Sequence, residues 1–563
     1  MEKQFLFVDV ANPTWLVYLA VLVIAVFFRF SRLFTVRNLD LVMVLALSAS
    51  LVVASEWKSQ TKSVPANPYQ QTAISPASIE AQQPDSADSN VLLTSADGTL
   101  HPSGAESVSL PSAREENAES GKIESDHAND AAAKRDGSVT PEREIAVPAG
   151  LNQTEPQHER RSPQFHPVYH WSSAVLLVLS VLLMLRLVFD ESMTRRPRLE
   201  QNLNQAGLAF LCVPAFALLM VSVFVVEPPN SAMAAVQHGK ALLERREAPS
   251  GSKAEESLPP APTETLIAAG AAGVAQLSGQ WQPEDARGYA PSEFEKTLAQ
   301  TLVVIAHTIV VLGLLHIGRR HFGSLQLGLS MSCLYLLLPC TAFNVHQLSH
   351  VLPGACLTWA IASYRKPVVS GVLLGLACGT LFFSVFLLPV WAAFYGKRGG
   401  LRFALSVIFV GTILAICLML TSSNTDSFIS KVFTTMNWTV YRLLDETGAA
   451  PEAPFGQLFV RIPLAAVFFV MLTAMTVLPR ARNLENLLAN STALVVAAQM
   501  WYPEDIGTYV LWYLPLLLLV VFRPRLDRFT PPDTTDRSQA SASPPTTAGA
   551  PSSIAMSRLT LYQ

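Results

Sequence analysis

A cluster of polar side chains interrupts the apolar run over residues 334–364 and is the stretch best suited to chemistry. Its members are Asn344, His346, Gln347, Ser349 and His350. Imidazole and amide N–H groups donate hydrogen bonds, and a protonated imidazole adds a positive charge. Such donors suit a phosphate group where hydrocarbon gives way to water. Polar side chains at this position also serve to cap helix ends, and the sequence alone leaves both interpretations open.

The chain around this cluster is too apolar for a soluble protein. Hydrophobic residues make up 50% and charged residues 15% of its 563 positions, whereas a soluble chain carries about 25% charged residues. The charges avoid long apolar blocks, each close to the ~20 residues that cross a bilayer. The net charge of −3 and the absence of a basic, aromatic-rich patch argue against nucleic acid as a partner.

These blocks predict an all-α polytopic membrane protein. The candidate spans are 14–30, 39–54, 171–189, 206–226, 298–317, 324–342, 349–363, 368–394, 402–421, 457–478, 484–500 and 507–522. Residues 55–169 are rich in Ser, Ala, Pro, Glu and Asp, and cannot bury enough apolar surface to order, so we predict a long disordered exoplasmic insert. The second polar segment, 227–297, is predicted to hold a helix over 230–247, a linker over 249–264 and a helix start over 292–300.

Basic turns orient the spans, because Lys and Arg concentrate on the cytoplasmic side of a membrane. The basic turns contain Arg29, Arg32 and Arg37, then Arg195, Arg196 and Arg198, then Arg319 and Arg320. They agree on an N-terminus outside, a C-terminus in the cytoplasm and both polar segments outside, as in a multi-pass protein of a bacterial inner membrane. The polar cluster then faces the exoplasmic side.

The block 368–394 breaks this alternation, because Arg365–Lys366 precedes it and Lys397–Arg398 follows it. As a single helix it would measure about 40 Å against a hydrocarbon core of about 30 Å. We therefore predict a helical hairpin that enters and leaves from the cytoplasm, with a turn near Gly379–Ser384 and a cavity around it. A kinked or tilted single span is the alternative. The total is about eleven through-going spans plus this hairpin.

Further candidate binding and catalytic residues fall on the same exoplasmic side. They are Glu227 after the span 206–226, Arg442 in the loop 422–456, Arg461 at the mouth of the next span, and Glu504 and Asp505 among aromatic residues before the last span. Loop-tip acids also fit a solvated turn, and Trp and Tyr at a span end also fit an aromatic belt. His307 falls within a span, where an ionisable side chain serves either function or packing.

The remaining patterns concern packing and domain layout. All six cysteines lie inside apolar blocks, with no spacing of a disulfide framework or thiolate site, so no metal and no cofactor is predicted. Gly371, Gly375 and Gly379 recur every fourth residue and indicate close helix packing. The predicted parts are a transmembrane hairpin 1–54, the insert 55–169, a third span with its basic turn 170–205, a multi-pass core 206–529 and a disordered cytoplasmic tail 530–563.

Residues 324–402 resemble a known pattern. An apolar span with "YLLLP" precedes "NVHQ", another span, a basic turn and "VVSGVLLGLACGTLFFSVFLLPVWAAFYGKRGG", and "WYPEDIGTYVLWYLPLLLL" follows later. This resembles the GT-C glycosyltransferase superfamily, in particular its polyprenol-phosphate-mannose-dependent α-mannosyltransferases, over the C-terminal three-fifths of the chain.

The resemblance implies a hexosyltransferase that takes a sugar from a polyprenyl-phosphate donor at the exoplasmic face. An acid in the first exoplasmic loop of the core would act as the base, which assigns this role to Glu227. A Lys that the family carries near Leu381 or Phe382 is absent here. His346, Gln347, His350, Arg442, Arg461, Glu504 and Asp505 would then bind the substrate.

The family resembled usually carries Asp where this chain has Glu227. This difference and the absent Lys leave a second hypothesis open. In that hypothesis the chain is a catalytically degenerate relative that binds membrane lipid or acts as a scaffold, and it is not an enzyme. A secondary transporter is the third candidate, although the hydropathy pattern shows no inverted repeat. The sequence does not determine an oligomeric state.

Overall fold

The computed structural model describes most of the helical regions of the chain. The described residues are 4–5, 8–9, 13–31, 34–63, 167–192, 199, 201–245, 260–279, 293–422, 424–436, 458–478, 482–501, 509–524, 526 and 529–532. They belong to one compact unit, made of Met1–Val64 and Ser162–Gln563. The predicted disorder of the insert, beyond residue 63 and up to 166, and of the C-terminal tail falls outside the described residues.

The described residues are almost entirely helical. The helices are α1 (Pro13–Phe27), α2 (Val36–Ser63), α3 (Pro167–Val188), α4 (Gln205–Val225), α5 (Asn230–Glu244), α6 (Pro262–Leu277), α7 (Glu293–Arg320), α8 (Leu325–Leu337), α9 (Pro339–Phe343), α10 (Leu348–Ala362), α11 (Pro367–Thr380), α12 (Leu388–Leu420), α13 (Thr425–Met436), α14 (Leu458–Val477), α15 (Leu484–Trp501) and α16 (Val510–Phe522). Short 3₁₀ turns cover Phe189–Ser192 and Phe382–Leu387, and two-residue strands β1 (Gln4–Phe5) and β2 (Val8–Asp9) pair antiparallel.

Helix length and composition support the membrane class. Within the described residues, five helical stretches are long and apolar enough to cross a bilayer: Val36–Ser55, Trp171–Val188, Gln205–Val225, Glu293–Arg320 and Gly399–Leu420. Shorter apolar helices accompany them, including α8, α10, α11 and α16. The predicted all-α integral membrane class is confirmed, while the number of spans stays a prediction.

Local sequence signals begin several of these helices. The Asn204 side chain accepts a hydrogen bond from the Gly207 N–H at the start of α4, and Ser324 accepts one from the Leu327 N–H at the start of α8. These side chains satisfy backbone donors that the first turn of a helix leaves without partners. Pro262 and Pro367 occupy first-turn positions of α6 and α11, where the fixed φ of proline favours a helix start.

The chain reverses direction twice between α11 and the end of α12. Gly371 faces Ser406, Gly375 faces Val410 and Gly379 faces Leu414. Both members of these pairs advance by four residues, so α11 and the second part of α12 run parallel, as the glycine spacing predicts for close packing. The segment between them must therefore run in the opposite direction. Its first break, at Leu381, lies within the turn predicted near Gly379–Ser384.

The second reversal occurs at Gly396, whose φ of 67° is in the region that favours glycine. A methyl group on Gly400 would lie 3.1 Å from the Ala392 carbonyl oxygen. Residues eight apart in a straight helix are separated by about 12 Å, so α12 is two antiparallel helices joined at Gly396. Helix α11 and the first part of α12, up to Gly396, are called the α11 pair. The side of the membrane from which this pair enters stays a prediction.

Contacts between helix termini define two ends of the bundle. At one end, Asn202 N–H donates to the Val26 carbonyl (2.7 Å), Leu484 N–H to the Phe529 carbonyl (2.8 Å) and Tyr395 OH to the Tyr364 carbonyl (2.7 Å). We call it the basic end, because its turns and helix termini carry Arg29, Arg37, Arg319, Arg320, Arg365, Lys366, Lys397, Arg402, Arg482 and Arg523. The opposite end, where α4 and α11 terminate and α7 and α10 begin, is called the loop end.

A buried ion cluster joins the first helices to the last at the basic end. It consists of Asp40, Arg186, Asp190, Glu485 and Arg523. Arg186 lies 3.1 Å from Asp40 and 2.7 Å from Asp190, while Arg523 contacts Asp190 and lies 3.4 Å from Glu485. Helices α2 and α3 therefore pack in the same body as α15 and α16, and the domain boundaries predicted from the sequence stay a prediction.

Candidate functional site

Helices α5 and α6 cover the loop end and are called the loop cap. Gly239 lies against Ala268 and Ala269, and Gly273 lies next to Leu243. Since both helices advance by four residues between these contacts, they run parallel. Lys240 on α5 forms an ion pair of 2.6 Å with Glu295 on α7, which attaches the loop cap to the bundle.

The linker predicted over 249–264 is wrong at its C-terminal end, because α6 begins at Pro262 and continues to Leu277. The sequence does contain signals for the start of this helix: Pro262 in the first turn and Glu264 two residues later, followed by a series of alanines. Proline and an acidic residue in the first turn are ordinary helix-start features. The alanine- and glycine-rich segment that follows lacks the large apolar residues by which helices are usually recognised.

Glu264 is the buried carboxyl of the loop cap. Its side chain is 3% exposed, and its Oε1 has no hydrogen-bond partner among the described residues. Burial raises the pKa of Glu264 from its ordinary value of 4.5 to about 8, against a smaller lowering by the Ala261 backbone. Helix α6 is not among the apolar helices able to cross a membrane. The structure therefore places a proton-binding group in the connection between α4 and α7.

The residue before it fixes this carboxyl against the bundle. Thr263 OH donates to the Leu376 carbonyl on α11 (2.8 Å). A methyl group at Gly379 would overlap both the Thr263 hydroxyl and Leu414. The glycine spacing of α11 thus allows α6 to approach closely, and it positions Glu264 at the loop end of the α11 pair.

Glu227, the candidate base from the sequence, has a different environment. It follows α4 directly, its side chain is 78% exposed, and it lies 3.6 Å from Lys296 Nζ. Gln300 donates to the adjacent Val226 carbonyl (3.1 Å), which ties this terminus to α7. The structure places Glu227 in an exposed ion pair with Lys296, and its catalytic role stays a prediction.

His307 uses both ring nitrogens within the protein. Its Nε2–H donates to the Val345 carbonyl (3.1 Å), and its Nδ1 accepts from Tyr335 OH (3.0 Å). Both His307 and Tyr335 are buried. Since a buried polar group that is fully hydrogen-bonded supports the fold, this arrangement favours the packing interpretation of His307, which positions the turn that contains the polar cluster.

The polar cluster occupies the turn from α9 into α10. His346 and Gln347 are half-buried there, and the Gln347 N–H donates to the Asn344 carbonyl (3.1 Å). The His350 N–H donates to the Gln347 carbonyl (3.1 Å), so the three predicted donors His346, Gln347 and His350 share one short turn. The structure therefore brings together these predicted substrate-binding residues.

An aromatic cluster surrounds His350 and consists of Phe383, Tyr509 and Trp512. The His350 ring lies 5.3 Å from the Tyr509 ring and 6.0 Å from the Trp512 ring, and Trp512 stacks on Tyr509 at 3.8 Å. Phe383, just past the end of α11, lies 4.3 Å from Trp512. Neither His350 Nδ1 nor Trp512 Nε1 has a hydrogen-bond partner among the described residues. The loop end thus contains buried donors and acceptors that the described protein does not satisfy.

The other predicted site residues cannot be placed. Arg442, Glu504 and Asp505 lie outside the described residues, and Arg461 lies in α14 with its side chain outside them. No group of three or more His, Cys, Asp or Glu side chains in the described part of the chain is arranged to hold a metal ion. All six cysteines are free thiols.

No family model, curated protein or solved structure matches this chain. The resemblance to GT-C glycosyltransferases therefore rests on the sequence motifs alone and stays a prediction.

Proposed function

We propose that the chain is a membrane glycosyltransferase that transfers a hexose from a polyprenyl-phosphate donor at its loop end. The observation that carries this proposal is Glu264, a buried carboxyl whose Oε1 has no hydrogen-bond partner among the described residues. It lies in the connection between α4 and α7, where the GT-C resemblance expects the acid. The basic turns at the opposite end support an exoplasmic loop end.

Glu264 has the properties of a general base. A base works best when its pKa is near the operating pH, and the pKa of Glu264 is about 8. Its carboxylate accepts the proton of the acceptor hydroxyl while that oxygen bonds to the anomeric carbon of the sugar. The bond from this carbon to the phosphate oxygen breaks, and the polyprenyl phosphate leaves with the electron pair.

The turn with His346, Gln347 and His350 supplies the phosphate-binding part of the proposal. Its N–H donors stabilise the charge that develops on the leaving phosphate. The aromatic cluster next to His350 provides an apolar surface for the first units of the lipid. The two parts are close in the chain. Thr263 contacts Gly379, Phe383 contacts Trp512, and Phe383 follows Gly379 by only four positions.

A second candidate function is lipid binding or scaffolding without chemistry. Glu264 is closed off in this structure, and the best-defined cavities among the described residues lie at other places, next to Arg482 and next to Asp40. A catalytic base must reach the acceptor hydroxyl. The enzyme hypothesis therefore requires the loop cap to open, whereas the scaffold hypothesis does not.

A transfer assay separates these functions. The full chain in liposomes is supplied with a short-chain polyprenyl-phosphate mannose and a panel of alkyl glycoside acceptors. We expect transfer by the wild type, a loss of about 100-fold or more in Glu264→Gln, and no change in Glu293→Gln, whose side chain is 88% exposed. Wild-type binding of the donor without transfer to any acceptor would instead support the scaffold.

The same assay distinguishes the two carboxyls. If Glu227→Gln abolishes transfer and Glu264→Gln does not, the base is Glu227, as the sequence predicts. Donor binding is measured for each variant at the same time. Because a base acts on the acceptor, Glu264→Gln is expected to retain donor affinity and lose only the rate.

A further inference from the structure

A cavity of about 60 Å³ lies at the basic end between α12, α14 and α15. One water molecule needs about 10–15 Å³ of such space, so the cavity has room for a group of several heavy atoms, such as a phosphate. Its polar lining consists of Thr476, Arg482, Asn483, Asn486 and Asn490. It lies at the opposite end of the bundle from Glu264 and the polar cluster.

The charge around this cavity favours an anion. Among the described residues that line it, Arg482 is the only charged one and none carries a carboxylate. The nearest acid in the chain, Glu485, faces the other way and binds Arg523 in the ion cluster. Amide N–H groups and a guanidinium together suit phosphate oxygens, which accept several hydrogen bonds at once.

Arg482 is positioned by the second reversal of the chain. One guanidinium nitrogen lies 2.9 Å from where a methyl group on Gly396 would stand. Gly396 has a φ of 67°, so only glycine combines this turn with so close an approach of the arginine. The bend in α12 therefore brings its backbone close to the guanidinium of Arg482.

The surroundings of the cavity are apolar on the side that faces away from the bundle. Phe394 and Met475 line its inner wall. Val477, which also lines it, and the adjacent Leu478 are 73% and 72% exposed. Exposed apolar side chains next to a phosphate-sized polar cavity suit an amphiphile, with its chain along α14 and its headgroup at Arg482.

We propose that this cavity binds the phosphate of a membrane lipid. Arg482 pairs with the phosphate, Asn483 and Asn490 donate to its oxygens, and the acyl chain lies against Val477 and Leu478. This site is independent of the proposed glycosyl transfer, because no residue is shared between them.

The test uses the purified full chain in detergent and three soluble probes. These are dihexanoyl phosphatidic acid, dihexanoylglycerol, which lacks the phosphate, and inorganic phosphate. Binding is measured by native mass spectrometry. We expect phosphatidic acid to bind with a stoichiometry that saturates, dihexanoylglycerol not to bind there, and inorganic phosphate to bind more weakly than the lipid.

Two variants and a matched control locate the bound lipid. Arg482→Gln should weaken phosphatidic acid binding by about tenfold, the effect of a lost charge-assisted hydrogen bond. Asn490→Leu should weaken it by a few-fold. Arg402→Gln removes an exposed charge from the same end outside the cavity, and should leave affinity within about twofold.

Equal losses of phosphatidic acid affinity in Arg482→Gln and Arg402→Gln would overturn the site. Such a result would show only a general electrostatic attraction of the lipid to the basic end. Binding of dihexanoylglycerol as tight as that of phosphatidic acid would also overturn it. Inorganic phosphate that binds as tightly as the lipid, with the same dependence on Arg482, would contradict the lipid as the source of the phosphate. Thermal unfolding of each variant, compared with the wild type, separates lost binding from lost structure.

Discussion

The ion cluster at the basic end and three polar side chains at the loop end differ in how their buried polar atoms are paired. At the basic end, the two guanidinium groups of the ion cluster each contact two carboxylates, and Arg523 also donates to the Glu485 carbonyl (2.7 Å). At the loop end, Glu264, His350 and Trp512 have buried polar atoms without partners among the described residues. Buried polar groups with hydrogen-bond partners support the fold, whereas buried polar groups without partners need an explanation such as a ligand or a functional role.

This difference separates the part of the molecule that holds the helices from the part that we expect to bind substrate. The ion cluster links α2, α3, α15 and α16, so its loss affects the whole bundle. The loop end is held by weaker contacts of the loop cap, such as the Thr263 bond to α11. Mutations in the ion cluster should therefore affect global stability more than mutations at the loop end do.

Arg523→Met should have the largest effect on stability. It leaves Asp190 and Glu485 buried without their shared guanidinium, which typically costs about 3–5 kcal/mol. The free energy of unfolding in mixed micelles measures this cost. The control is Arg402→Met, an exposed arginine at the same end, for which we expect a change within about 0.5 kcal/mol. Similar values for the two variants would contradict the structural role of the ion cluster.

Gly379→Ala should destabilise the loop end by about 1–3 kcal/mol, because the added methyl group pushes Thr263 and Leu414 away from α11. The matched control is Gly411→Ala, since nothing lies within 4 Å of a methyl group there. It should be neutral or slightly stabilising, as expected for alanine in a helix. Limited proteolysis of the connection between α4 and α7 shows whether the loss is local to the loop cap.

Glu264 should make stability depend on pH in the direction opposite to that of a paired carboxylate. Between its ordinary pKa of 4.5 and its folded pKa of about 8, the folded chain holds a proton that the unfolded chain has released. The contribution of Glu264 to the free energy of unfolding is therefore greatest below pH 4.5. It falls as the pH rises through this window and levels off above pH 8. Glu264→Gln should remove this slope, measured by thermal unfolding across the window, while Glu293→Gln should keep it.

The class of the molecule was predictable from its sequence, but the pairing of its charges was not. Apolar block length alone indicates a multi-pass helical protein, and the glycines at 371, 375 and 379 indicated a close helix contact. Asp40 and Arg186 are separated by 146 positions, so nothing local in the sequence pairs them. Glu264 was missed for a related reason, because the packing of α6 against α11, shown by the Thr263 bond to Leu376, is not visible in the sequence of α6.

His350→Phe should have the smallest effect, within about 1 kcal/mol of the wild type. Phenylalanine keeps the ring contacts with Tyr509 and Trp512 and removes a nitrogen that has no partner among the described residues. Donor affinity is the sharper readout, since the substitution removes a phosphate donor from the turn. A variant with much lower stability and normal donor affinity would show that His350 serves the fold.

If Glu264 is the base at the loop end, the rate of transfer must depend on its protonation state. The kcat/KM for mannose transfer from the polyprenyl-phosphate donor, which reports the pKa of the base in the free enzyme, is measured across the pH range around 8, the folded pKa of Glu264. We predict a rate that rises with pH to a half-maximum near this value, and a residual rate in Glu264→Gln without that rise. A profile that Glu264→Gln leaves unchanged would contradict the account.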